Sequence, residues 1–530
     1  MLKTICRSFS SKVVFENVKV SEKQMINANF LAKLFGISHV KSSGILQKHK
    51  ELLSISQKDA FNTTKVLASL NYPVEEIPER AMILYVNELT FQNRHEVLHE
   101  VGITKNRIDM NLLFKYITVV NKNVSFLMSN GYFPDDFDVQ QKLCDCFEDI
   151  HVTPSDLTGN MPLKALRQEV LNKYLSIKLK MTKKENEKMW TSYSRVKHKS
   201  FRSVQKMMNI LINDLNFSNE RIIKNVFLLY GDPENLETIL KTIPTIGGED
   251  VKQVLYSRPK IIMTSASAIR QCLDHLKSFN IPEQAITRCT ELLTLGPDTV
   301  LERLKDLNNV DEFQALITNP RVLRLVHYQS KARLRLDYLQ HLKVRCASLH
   351  ILSCSANAFA KFAREGSDRT KGRDIIFFLV EKLKKDPSEI REQLSRHPNW
   401  CHVPAVQAKQ CYEYLISKKF KKIDIFHNMH VLLYPIARID EKLKMLQNND
   451  AYHDMNLNVN YTQVSNRQLL TLVLYIIESE YHFTGDGVWN ESHVQPMENF
   501  NNLLPDFPEG YQKIYKQPPI STESQRFNIL

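Results

Sequence analysis

A segment of helical character that is written twice constrains this chain more than any other feature. Shifted by 64 positions, LNFSNERIIKNVFLLYGDPENLETILKTI lies over FNIPEQAITRCTELLTLGPDTVLERLKDL, pairing Ile222 with Ile286, Leu228 with Leu292, Leu229 with Leu293, Pro233 with Pro297 and Leu240 with Leu304. At an offset of 61, VLYSRPKII lies over ALITNPRVL, so that Leu255 meets Leu316 and Pro259 meets Pro320. The period therefore halves to roughly 30 residues, the range of solenoid repeats. A unit this short cannot bury its own apolar face and must stack on neighbours.

The proline signature returns in QLSRHPNWC around Pro398 and MHVLLYPIA around Pro435, each with an apolar residue four places earlier: Leu255, Leu316, Leu394 and Val431. Proline lacks an N–H and disfavours helix in the residue before it. One helix, a proline corner and a second helix make the expected unit.

This pattern resembles the mitochondrial transcription termination factor (mTERF) family, in an insect-type member, over about Phe201 to Met445. Weaker echoes stand upstream in LHEVGITKNRI and FLMSNGYFP. Some copies depart from the pattern: Ser355 stands where a proline is expected, and Arg438 follows Pro435 where an apolar residue is expected. The number of units is roughly seven to nine. The expected fold is all-α, a right- or left-handed α-solenoid of such repeats. Its expected divisions are a transit peptide (1–15), divergent N-terminal repeats (16–170), the repeat superhelix (171–447) and a C-terminal cap with an acidic tail (448–530).

Charge points the same way. The 71 basic and 58 acidic residues give +13 and a pI near 9.1, which favours a polyanionic partner. Residues 448–530 hold 10 acidic and 4 basic residues, net −6, so residues 1–447 carry +19. Only 14 glycines are present, too few for a protein of sheets and turns. Nine cysteines without a Cys-x-x-Cys pair read as reduced thiols rather than a disulfide framework. Residues 1–15 carry Lys3, Arg7 and Lys12, serines and no acid, with Leu2, Ile5 and Phe9 at helical spacing; this is the composition of a mitochondrial transit peptide. No apolar run reaches the length of a membrane span.

The most basic stretch, Lys173 to Lys206, includes Arg195, Lys197, Lys199 and Arg202, with Tyr174, Trp190, Tyr193 and Phe201 interleaved. Cations there would neutralise phosphates, while the aromatics either stack on bases or belong to the core. Further cations follow the corners: Lys260, Arg321, Arg324, Lys331, Arg333, Arg335 and Arg345, then Lys361, Arg364, Arg369, Lys371 and Arg373, then Lys418, Lys419, Lys421 and Lys422. If equivalent positions line one side of a superhelix, these form a track for backbone phosphates.

Motifs with other chemistry are weak. His95-Glu96-Val97-Leu98-His99 fits the zincin pattern, but Lys105 stands where a metzincin's third histidine would be, and the chain has 17 histidines. The loop Gly366 to Gly372 lacks the order of a phosphate loop. His397, Cys401 and His402 are of ligand type, but Cys401 and its neighbour Trp400 fall where the unit puts apolar residues, which favours core packing, and Cys144 and Cys146 are too few for a metal site. No catalytic residue, metal or cofactor is expected.

The resemblance implies a protein of the mitochondrial matrix and nucleoid that binds double-stranded mitochondrial DNA and modulates transcription, chiefly termination. Two alternatives stay open: an RNA-binding factor for mitochondrial ribosome assembly, and an interaction scaffold acting with another mTERF-family protein.

Overall fold

The computed structural model describes residues 27–103, 108–134, 136–154, 161–365, 372–447 and 464–480. The expected transit peptide and the tail beyond residue 480 lie outside these. The chain divides into two compact units, Met1–Ile239 and Leu240–Leu530. Among the described residues the only strands are Thr245–Ile246 and Glu249–Asp250, an antiparallel pair turned by Gly247 and Gly248 at φ +61° and +84°. Both glycines take the positive φ that such a tight turn demands.

The repeat has three parts: a short helix, a 3₁₀ turn and a long helix. Short helices begin at Asn219, Val251, Glu283 and Asp311, at the spacing read from the sequence. The 64-residue match holds in three dimensions. The 3₁₀ turn Val226–Tyr230 corresponds to Thr290–Thr294, and Pro233 and Pro297 both open long helices, where a missing N–H removes nothing. Ile222, Leu228, Leu229, Ile286, Leu292 and Leu293 are all buried.

In six places the residue before the 3₁₀ turn has one conformation. His49, Tyr193, Asn225, Arg258, Cys289 and Asn428 have φ between −119° and −148° and ψ between 40° and 71°. Pro259 follows that bend at the first position of its 3₁₀ turn, and Pro398 stands between the helix Pro387–Ser395 and the turn Trp400–His402. Pro435 does not belong with them. It follows the turn Met429–Leu433 and precedes the long helix Ile436–Gln447, the place of Pro233 and Pro297. An apolar residue four positions earlier occurs at both corners and so cannot separate them.

Six helices end alike. The N–H of an apolar residue after the helix reaches back to a leucine carbonyl in the last turn: Tyr72 to Leu67 at 3.0 Å, Ile103 to Leu98 at 3.2 Å, Tyr132 to Leu127 at 3.0 Å, Ile281 to Leu276 at 3.0 Å, Val344 to Leu339 at 2.9 Å and Phe420 to Leu415 at 3.1 Å. The residue between must be left-handed. It is Asn71, Gly102, Gly131, Asn280, Lys343 or Lys419, with φ from 53° to 95°. Both upstream echoes, at Leu98 and Phe126, thus carry the same helix end. The helical spacing of Met110, Leu113, Phe114 and Ile117 suggests one apolar face, but Met110 and Leu113 are buried while the helix stops at Lys115 and Phe114 and Ile117 are 38% and 47% exposed.

A second rule joins each repeat to the next. In every described long helix of 13 residues, the seventh side chain donates to a carbonyl of the following element. Thr63 reaches Val86 at 3.2 Å, Arg94 reaches Leu113 at 2.9 Å, Cys272 reaches Leu295 at 3.9 Å, Arg303 reaches His327 at 2.8 Å, Arg335 reaches Cys354 at 2.8 Å and Cys411 reaches Val431 at 3.6 Å. The accepting carbonyls lie at or near the ends of short helices and 3₁₀ turns, and that of Val431 also accepts the Tyr434 N–H at 3.2 Å.

Buried charge serves the same end in the first unit. The Glu100 carboxylate accepts from Ser200 Oγ at 2.8 Å and from the N–H groups of Phe201 and Arg202 at 3.0 Å, while Arg167 lies 3.5 Å away. It therefore caps the helix Phe201–Asn209 from a different repeat, where a helix N-terminus favours a negative charge. In the second unit the Asp374 carboxylate accepts from Asn319 Nδ2 at 2.7 Å and the Leu349 N–H at 3.2 Å.

The helix Asn466–Glu480 closes the second unit by burying Leu469, Leu470, Val473, Ile476 and Ile477. Asn428 fixes it at both ends of its amide: Nδ2 donates to the Arg467 carbonyl at 3.1 Å and Oδ1 accepts from Thr471 at 2.8 Å.

Candidate nucleic-acid interface

The cations expected to touch nucleic acid fall into two groups, those facing solvent and those used inside the fold. Arg195 is exposed in the 3₁₀ turn Ser194–His198, and Arg202 is exposed in the first turn of the helix Phe201–Asn209. Lys197 is half-buried. Lys199 is half-buried too, 5.9 Å over the Tyr230 ring, and burial lowers its pKa against the opposing pull of Asp232 and Glu96. Arg321, Arg345, Lys361, Arg364, Arg373 and Lys422 are exposed, and Arg324 is half-buried. Lys361 pairs with Glu365 at 3.7 Å, and Arg364 Nε donates to the Ala360 carbonyl at 3.3 Å. Arg369 and Lys371 lie outside the described residues.

The helix Gln329–His341 departs from the expected track. Arg335 is 1% exposed; its guanidinium donates to the carbonyls of Ile351, Leu352, Cys354 and Ser355 and stacks 4.5 Å from Phe359. Lys331 sends Nζ to the same Cys354 carbonyl at 2.7 Å, and burial beside Arg335 lowers its pKa. Arg333 is held by Asp306, with Nε at 2.8 Å. These three are therefore committed to joining repeats: Lys331 and Arg335, four apart, share the inward face, and Arg333 meets an acid of the preceding long helix. Lys418 is also engaged, 3.4 Å from Asp440 and 5.3 Å over Tyr414.

Of the interleaved aromatics, Tyr174 and Phe201 are core, while Trp190 and Tyr193 are half-buried and held by neighbouring side chains. Tyr174 and Phe201 are fully buried and sandwich Phe147 at 3.9 Å and 4.9 Å. Trp190 Nε1 donates to Asn172 at 2.7 Å, and Tyr193 meets Tyr230 edge-on. The weak motifs are likewise structural. His95 Nδ1 bonds Tyr72 Oη at 2.9 Å, and Glu96 accepts from Ser203 at 3.3 Å. Gly102 has φ +95°, and a Cβ there would stand 2.3 Å from the Phe137 ring. His397 accepts the Asn399 N–H on Nδ1, which leaves Nε2 to donate to Tyr434 Oη at 2.9 Å, and Tyr434 donates onward to Glu478. Burial and nearby His430 lower the His397 pKa to about 4. Cys144 and Cys146 are buried, and burial raises both thiols.

Sequence reasoning missed Arg94, Arg167, Arg303 and Glu100, whose roles are internal. It also missed Lys343 and Lys384, exposed at left-handed helix ends with φ 56°. The signal available was their place after a leucine-bearing helix, where Asn71 and Asn280 stand in other repeats.

Fold and surface together define an all-helical repeat protein whose solvent-facing cations gather at the turns between repeats. Among the described residues no helix is long and apolar enough to cross a membrane. The chain is 51% identical over 504 residues to transcription termination factor 5, mitochondrial, of Drosophila melanogaster, a match that covers 94% of this chain and 90% of that relative. It belongs to the mitochondrial transcription termination factor family. No family model matches the chain, and no solved structure matches it.

Proposed function

We propose that this protein binds double-stranded mitochondrial DNA through the solvent-facing cations of its repeats and modulates transcription, chiefly termination, by occupying the template. The observation that carries this reading is the placement of Arg195, Arg202, Arg321, Arg345, Arg373 and Lys422 on exposed positions at or near the turns, in a region of net charge +19. Such cations grip phosphates and fix the protein's position, whereas a few contacts with base edges would select sequence. The mechanism needs no catalytic step, because a bound obstacle acts by its residence time. The name of the Drosophila relative supports the same reading.

Purified protein titrated with duplex DNA over a range of salt is the test. Binding that weakens steeply between 50 and 200 mM salt, in the manner of a protein making several phosphate contacts, together with a footprint on the mitochondrial genome, is the expected result. Preference for structured RNA would replace the DNA reading. No binding to either would favour action through another family protein.

A further inference from the structure

Two successive helix ends of the second unit meet in one lysine-rich corner. The long helix Arg373–Leu383 ends at Lys384, and Ala405–Ser417 runs into Lys418, Lys419, Lys421 and Lys422. The two ends touch: Lys385 Nζ lies 4.7 Å over the ring of Phe426, in the short helix Lys422–His427 that follows the second end. Lys384 and Lys419 both hold the left-handed conformation, at φ 56° and 68°, where glycine or asparagine is the favoured residue. Asn280 occupies the corresponding position in another repeat at φ 53°.

The acids around this corner are already engaged. Asp386 accepts the Ser388 N–H at 2.8 Å, Asp424 accepts the Lys421 N–H at 3.2 Å, and Asp440 is shared by Tyr414, Lys418 and Lys444. Lys384 pairs with Glu381 on the surface at 2.8 Å. Lys419, Lys421 and Lys422 are exposed, and their ammonium groups form no ion pair within the described residues. The C-terminus of the helix Ala405–Ser417 favours the cations at Lys418 and Lys419; Lys421 and Lys422 stand at the opposite pole, the N-terminus of the helix Lys422–His427, where Asp424 offsets part of their charge.

We propose that this corner, Lys384 and Lys385 with Lys419, Lys421 and Lys422, is a clamp for the phosphate backbone of duplex DNA. The inference rests on the DNA-binding reading above and assigns it a place. Lysine is a mobile point charge without the planar fork that reads a guanine edge, so the clamp holds any sequence equally. Its role is to hold the duplex against displacement rather than to choose where it binds.

The test compares the full chain with Lys419→Asn/Lys421→Gln/Lys422→Gln, in which asparagine keeps the left-handed turn and the glutamines keep side-chain length. Binding of two unrelated duplexes and of a structured RNA is followed by anisotropy against salt, and thermal melting confirms that the variant folds as the parent does. Each phosphate contact contributes about 0.9 to the slope of log K on log salt. Loss of three lowers the slope by about 2.7 on both duplexes, or about a hundredfold in affinity at 0.15 M salt. Arginine at the three positions restores it. A parent that binds duplex steeply and a variant with the same slope would overturn the clamp and leave the DNA-binding reading standing. A loss seen on RNA alone overturns the assignment to duplex, and a parent that binds no duplex overturns both.

Discussion

Replacing Glu100 with glutamine removes one negative charge from a site built to receive it. The carboxylate lies 4% exposed beside Arg167, itself 1% exposed, and accepts from Ser200 Oγ and from the Phe201 and Arg202 N–H groups. The glutamine oxygen keeps part of this set, but its amide group points donors at donors and leaves the guanidinium without its counter-ion. Breaking one side of a buried ion pair typically costs about 3–5 kcal/mol, and loss of a helix cap about 1 kcal/mol. Because one acceptor oxygen survives, a net loss of about 3 kcal/mol is expected. With an m-value of about 2 kcal/mol/M, the urea midpoint of the first unit falls by about 1.5 M. Hydrogen exchange supplies the local readout: amides at the start of the helix Phe201–Asn209 lose protection ahead of the rest. The combined variant Glu100→Leu/Arg167→Met removes both charges but leaves the Ser200 hydroxyl, the Phe201 and Arg202 N–H groups and the Lys199 carbonyl without these partners, so it recovers only part of the loss. A midpoint within about 0.3 M of the parent, with the Phe201 and Arg202 amides still protected, would refute the capping argument.

Arg335→Met lowers stability by about 3 kcal/mol yet leaves the salt dependence of DNA binding unchanged, which separates an internal clasp from a phosphate contact in one protein; urea unfolding and anisotropy measure the two effects. Gly372→Ala is destabilised by about 2 kcal/mol or more, because φ is +66° and the new Cβ would fall 2.0 Å from the Trp400 ring; thermal melting reads this. Lys343→Gly gains up to about 1 kcal/mol by relieving a left-handed lysine, seen as a raised urea midpoint. The His397 ring is kept neutral by burial, with its pKa lowered to about 4 from 6.5. The unfolded chain therefore binds the extra proton first as pH drops, and stability present above pH 6.5 is lost progressively toward pH 4. The loss is on the order of 2 kcal/mol after solvent screening, and a His397→Asn variant shows a flatter midpoint between those pH values.

The repeat was legible because its rules are written in residues that repeat: Leu228 and Leu292 in the 3₁₀ turns, Pro233 and Pro297 at helix starts, and the leucine before each left-handed turn. The roles of the cations were not legible to the same degree. Lys331, Arg333 and Arg335 look alike in sequence, but a helix turns them to opposite sides, so two meet the Cys354 carbonyl and one meets Asp306. Sign of charge does not report direction. Position in the unit does: Arg94, Arg303 and Arg335 each stand seventh in a 13-residue helix, and Cys272 and Cys411 share that place. Pro398 and Pro435 teach the same lesson, since identical residues with an apolar neighbour four places earlier serve different corners.

That seventh position grades the strength of the side-chain link from one repeat to the next. Guanidinium joints at Arg94, Arg303 and Arg335 make charge-assisted bonds at 2.9 Å or less, while the thiol joints at Cys272 and Cys411 span 3.9 Å and 3.6 Å and are the weaker donors. The repeats that follow Cys272 and Cys411 are thus held to their predecessors by the weaker kind of side-chain bond.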